Sequence, residues 1–134
     1  MYKHVLVPVA VDHDRDTSAA FDIARQLAGA QGKVSAITVQ EYVPLFTETY
    51  VPVDVTREIH QAVVDRFEEV VPDDIEEKHV LRGTAAQSIL SHVEKNDVDC
   101  IVIASHRPGL ADYMIGSTAA RVVRHAKCSV HVIR

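Results

Sequence analysis

Residues Ile101 to Gly109 read Ile-Val-Ile-Ala-Ser-His-Arg-Pro-Gly, and Gly116-Ser117-Thr118 follow with the pattern of a helix start. A strand that ends in small residues, followed by a loop and a Gly-Ser helix opening, places free backbone N–H groups and a hydroxyl at the positive end of a helix. Such an end holds anions. Gly116 would let a phosphate approach the backbone, Ser117 could donate its hydroxyl, and Arg107 could add a planar charged donor. The same residues also spell an ordinary loop and an ordinary helix capped at Ser117, with Gly116 as a turn residue.

Other chemistries find less support. The eight histidines (His4, His13, His60, His79, His92, His106, His125 and His131) fall on different segments, and no two share a helix at the i, i+4 spacing of a metal site. Most read as surface or half-buried side chains, with His106 placed to orient a ligand. Cys100 lies in an apolar run and Cys128 beside the last one, which suits packing, and no Gly-x-Ser-x-Gly elbow is present. No base or acid pair is placed to activate water, so no catalytic residue is expected.

The segments that must position these residues alternate between short apolar runs and helix-period stretches. His4 to Val11 reads as a buried strand with Pro8 near its end, followed by a helix carrying Ala20, Ile23, Ala24 and Leu27. Asp16 or Thr17 is its N-cap, and Gly29 or Gly32 its stop. Val34 to Val39 repeats the strand signal, and Glu41 to Asp54, with Pro44 and Pro52, is irregular. Thr56 opens a second helix through Ile59, Val63, Phe67 and Val70, and a weaker strand runs from Glu77 to Leu81. Thr84 caps a third helix (Ile89, Leu90, Val93) that ends at Asn96-Asp97. Cys100 to Ala104 is the clearest strand, Gly116-Ser117 starts a fourth helix (Ala119, Ala120, Val122, Val123), and Ser129 to Ile133 closes the chain. The order βαβαβαβαβ predicts a single α/β domain over residues 1–134: a five-stranded parallel sheet, helices on both faces, Rossmann-like. Ligands of such sheets sit beyond the strand C-termini near a switch point.

Composition narrows the function. The chain has 134 residues, 47% hydrophobic and 25% charged, enough for one core. A formal net charge of −5 argues against a nucleic-acid or anionic-membrane binder while permitting one local basic pocket. Two cysteines make no disulfide framework, and no stretch has the roughly 18 to 20 apolar residues of a membrane span. Met1 to Val11 is broken by Lys3, His4 and Pro8 and carries no cleavage site. A reduced, cytoplasmic protein with no membrane insertion is expected.

From the opening VLVPV strand, through Gly83 and the helix with Ile89-Leu90, to Gly116-Ser117 and the closing HAKCSVHVIR, the whole chain resembles the universal stress protein family. In that family the late pattern is G-x2-G-x9-G-[ST], which in nucleotide-binding members contacts ATP phosphates and ribose. Counting back from Gly116 without a gap puts Ile103 and His106 at its first two glycines. Aligning Ala104-Ser105-His106-Arg107-Pro108 with the usual Gly-Ser-His-Gly puts Ala104 and Arg107 there, with one residue fewer before Gly116. This second register keeps Ser105-His106 and resembles an ASHRP-type bacterial subgroup that binds ATP. The first strand ends Pro8-Val9-Ala10 where ATP-binding members read Pro-x-Asp, so the carboxylate facing the nucleoside is missing. Asp12 or Asp14 stands nearby, as a substitute or as a solvated loop acid. Val39 matches the position whose backbone reads adenine, and Gly83 another site position that equally suits a plain turn.

The resemblance thus implies ATP or AMP, with or without Mg²⁺, held at Pro8, Val9, Ala10, Val39, Gly83, Ala104, Ser105, His106, Arg107, Gly116, Ser117 and Thr118. It implies a regulatory, stress-response role with at most slow ATP hydrolysis. It also implies a homodimer paired through the last strand, where Val130 and Val132 alternate with polar neighbours. The alternative is a nucleotide-free member of the family, acting as a dimeric interaction module.

Overall fold

Five strands, β1 (His4–Pro8), β2 (Lys33–Gln40), β3 (Glu77–Arg82), β4 (Cys100–Ala104) and β5 (Ser129–Ile133), pair in the order β3-β2-β1-β4-β5. Every pairing is parallel. The computed structural model describes residues 1–11, 16–41, 53–105 and 115–134. Among the described residues four helices connect the strands: α1 (Ser18–Ala28), α2 (Val53–Val70), α3 (Ala85–Lys95) and α4 (Ser117–His125). The α/β architecture expected from the alternation of runs is present. The first strand, β1, lies at the centre, and the chain moves outward to β3 before crossing to β4, so a switch point opens between β1 and β4.

Alternation along β1 feeds two cores, one on each face of the sheet. Val5 and Val7 pack with Phe21, Ala24, Phe67 and Val102. Leu6 packs on the other side with Ile37, Ile89, Ile101 and Val122. Full burial of an aliphatic or aromatic side chain of this kind stabilises by about 1.5–3 kcal/mol, so each face holds its own helices.

Local differences from the expected bounds have physical causes. The run to Val11 was expected to be strand, but β1 ends at Pro8, which has no N–H for the ladder; Val9 N–H still reaches the Ile37 carbonyl at 2.7 Å before the chain leaves the sheet. The second helix begins at Val53, ahead of Thr56, and its apolar stripe is fully buried only in the latter half: Phe67 is 1% exposed, whereas Ile59, on the same stripe, is 45% exposed. At the start of α1 the two candidate caps divide the work. Asp16 accepts the Ser18 N–H at 2.9 Å, and Thr17 Oγ1 donates to the Val70 carbonyl at 2.7 Å, tying α1 to the end of α2. Gly29, with φ of 68°, stops the helix as expected. Thr84 makes no side-chain cap on α3; the Ala85 N–H faces Glu41 Oε1 at 3.5 Å instead.

His4 departs from the half-buried histidines expected, being only 3% exposed. Beside it, the Asp99 carboxylate takes the backbone N–H groups of both Lys3 and His4 at 2.9 Å, and these bonds hold its pKa below the usual range against the opposing effect of burial. Burial pushes the Cys100 thiol up to about 11 and raises that of Cys128, so neither is a ready thiolate, in line with a packing role. Among the described residues no helix is long and apolar enough to cross a membrane, and no group of three or more His, Cys, Asp or Glu could hold a metal ion.

Candidate functional site

Where β1, β2 and β4 end, the helices on the two faces stand apart and leave a cavity of about 530 Å³ at the switch point. Its walls are largely apolar: Val7, Val9 and Val11 from β1 and its exit, Ile37 and Val39 from β2, Ile103 from β4, Val63 from α2 and Ile89 from α3. Polar and charged groups come from strand ends and helix starts, including Asp16, Thr38, Gln40, Glu41, Ser117 and Arg134. An apolar slot with a small set of placed polar groups suits a flat organic ligand with a polar end.

The polar end is the start of α4. Gly116 occupies the N-cap position, and its N–H donates to the Ser105 carbonyl at 2.9 Å. A Cβ on Gly116 would lie 2.9 Å from that same oxygen, so the residue is glycine because the strand end and the helix start touch. Its φ of −58° is open to any residue, and close approach alone sets the requirement. Beyond it, the first N–H groups of the helix have no intrahelical acceptor. The hydroxyls of Ser117 and Thr118 have no partner among the described residues and stand at the cavity wall. Ser105 plays a different part, since its N–H and its hydroxyl both donate to the Ile133 carbonyl, at 2.9 and 3.1 Å, binding the end of β4 to the end of β5.

Of the residues singled out in the sequence, Pro8, Val9, Ala10, Val39, Ala104, Ser105, Gly116, Ser117 and Thr118 all line this one cavity. Ala10 is exposed and brings only a methyl group to the wall. Gly83 does not line it: with φ of 141° it is the buried turn after β3, and its N–H donates to the Gln40 carbonyl at 3.1 Å. His106, Arg107, Asp12 and Asp14 lie outside the described residues.

Several lining groups were not singled out. Thr38 is 2% exposed and its hydroxyl has no partner among the described residues. Gln40 Oε1 meets His60 Nδ1 at 2.8 Å, which fixes the side chain of one wall residue from α2. Asp16 and Thr17 enter from the start of α1, with the Asp16 pKa lowered by its bonds from Ser18. The rule that ligands sit beyond parallel strand ends would have found Thr38 and Gln40.

The Universal stress protein family matches the chain over residues 1–134. Universal stress protein G of Salmonella typhimurium is 27% identical, with all of both chains covered. Among solved structures, the universal stress protein UspA from Lactobacillus plantarum superposes with a TM-score of 0.70 at 23% identity, covering 99% of this chain and 98% of that one. The universal stress protein from Archaeoglobus fulgidus in complex with dAMP gives a TM-score of 0.63 at 20% identity, covering 99% and 98%.

Proposed function

The chain belongs to the universal stress protein family, and from that premise we propose that it is a regulatory protein that binds ATP or a related adenine nucleotide in the switch-point cavity. The observation that carries this reading is the meeting, in one cavity, of an apolar slot formed by Val7, Val9, Ile37 and Val39 with the uncapped N-terminus of α4. The base would lie between the apolar strand ends, and the phosphates at the N–H groups and hydroxyls of Ser117 and Thr118, where a helix end favours negative charge. Gly116 keeps that end open and Arg107 would add a second positive group to the phosphates. The dAMP complex of the Archaeoglobus fulgidus relative supports an adenine nucleotide as the ligand class. Mg²⁺ would enter with the phosphates, and the role is binding rather than turnover, in the cytoplasm.

Mass spectrometry of the supernatant after denaturing the purified protein should find ATP or AMP. Added Mg-ATP should raise Tm where salt and free phosphate do not, since ligand at about a hundred times Kd adds roughly 2.7 kcal/mol to the native state. An empty supernatant together with no shift at millimolar ATP overturns the proposal.

The assembly follows from an edge. Among the described residues strand β5 has one neighbour, β4, and its residues are exposed or half-buried, which leaves its second side open to pair. We propose a homodimer through β5. Light scattering at micromolar concentration should give twice the chain mass, and Val132→Pro, which removes a ladder donor, should return the monomer. A wild-type monomer overturns it.

A further inference from the structure

At the end of the sheet opposite the cavity, α3 finishes in a chain of hydrogen bonds that runs from the sheet edge into the core. The His79 ring on β3 lies 5.2 Å, centroid to centroid, from that of His92 in the last turn of α3, tilted by 52°. Asn96 Nδ2 donates to the His92 carbonyl at 2.9 Å, which fixes the orientation of the amide, and the same nitrogen meets His92 Nδ1 at 3.3 Å. An amide nitrogen only donates, so His92 Nδ1 is bare and its proton sits on Nε2. The Asn96 backbone carbonyl lies 3.1 Å from His4 Nδ1; a carbonyl only accepts, so this ring carries its proton on Nδ1. His4 Nε2 is then left to accept the Ser35 hydroxyl at 2.7 Å, in the fully buried interior. Two histidine rings of opposite tautomer are thus tied through one asparagine.

We propose that this chain is an acid-operated latch on α3. A proton taken from solvent at His92 Nδ1 turns the acceptor of the Asn96 amide into a second donor, that bond is lost, and the turn that holds Asn96 against β1 loosens. The groups facing His92 are His79 and Glu77 from β3 and His4 from β1. Glu77 is engaged by Lys33 at 2.9 Å, and Asp99 by the N–H groups of Lys3 and His4, so among the described residues neither carboxylate holds the ring. Burial first, then the His79 and His4 rings, keeps the His92 pKa below its ordinary 6.5, against the pull of Glu77. Because the folded chain holds this proton more weakly than the unfolded chain, the stability supported by the neutral ring is complete above about pH 6.5 and declines as the pH falls below it. Ala85 and Ile89 of the same helix line the cavity, so the latch acts on a helix that forms one of its walls.

Nitrogen NMR of the histidine rings at neutral pH should show the Nε2–H tautomer for His92 and the Nδ1–H tautomer for His4. The amides of Asn96, Val98 and Asp99 donate to His92, Val93 and His4 carbonyls and report on the turn. Between about pH 7.5 and about pH 5.5 their hydrogen exchange, corrected for the chemical rate, should rise roughly three- to tenfold, the effect of losing one neutral hydrogen bond. His92→Phe keeps a ring against His79 and cannot take up the proton, so its exchange should not respond to pH. Swapped tautomers, a flat wild-type profile, or a rise that persists in His92→Phe would each overturn the latch. If the variant does not fold, the wild-type protein decides: the rise in exchange must track the titration of His92 and not that of His79.

Discussion

Phe67→Ala is expected to cost about 3–5 kcal/mol of folding stability, the range for emptying a buried aromatic site. Phe67 is 1% exposed and is the one fully buried side chain among the described residues of α2, where Val55 and Ile59 remain exposed. The apolar anchor of the helix therefore lies at one end, in Phe67 with the buried Val71 and Ile75 that follow it. Val63, one turn before Phe67, is part of the cavity wall, so loosening this anchor also unsettles the binding slot. Urea unfolding measures the loss, with Ile59→Ala as the comparison, expected to change stability by about 0.5 kcal/mol or less at its exposed position. A Phe67→Ala loss no greater than that of Ile59→Ala would show that α2 is held by something else.

Gly116→Ala should weaken ATP at least about tenfold and cost roughly 1–3 kcal/mol of stability, because the added methyl group meets a backbone atom that cannot swing away. The Ser105 carbonyl it would meet also accepts the Gly116 N–H, and Ser105 is fastened to Ile133 by two bonds. Relief must come from the start of α4, the part that faces the phosphates. Titration calorimetry with ATP and with adenosine separates the effects: ATP should lose more, since adenosine carries no phosphate to that helix end. Equal affinities for ATP in the variant and the wild type would remove the α4 start from the site.

How legible the molecule was depended on how much of each signal was local. Cys100–Ala104 and Ser129–Ile133 were read to the residue, because each is an apolar or alternating run bounded by polar neighbours. The start of α2 was not, since Asp54 and Val55 in its first turn are exposed and leave no periodic mark, and Thr56 offers the more familiar cap. In the site, the strand-to-helix junction at Gly116 was visible as a local motif. Thr38 was not: nothing beside it in the sequence marks it, and only the rule that ligands sit beyond parallel strand ends reaches it, through its place near the end of β2. Gly83 was open to two readings, a binding position or a plain turn, because both uses need the same backbone freedom; the structure shows it buried in the turn after β3.

Of the five strands, β1 is synthesised first and enclosed late. Its β2 side pairs with residues made soon afterwards, Val5 beside Val34, but its other side waits until Val5 meets Cys100 and Leu6 meets Ile101. A nascent chain that has released only β1 to β3 carries three of the five strands, with Val5-Leu6-Val7 as the open edge, an apolar template for any passing strand. Asp99 leads β4 into place, and its grip on Lys3 and His4 fixes the register of that late closure. It is the half-made chain on the ribosome, more than the finished domain, that stands to gain from a chaperone.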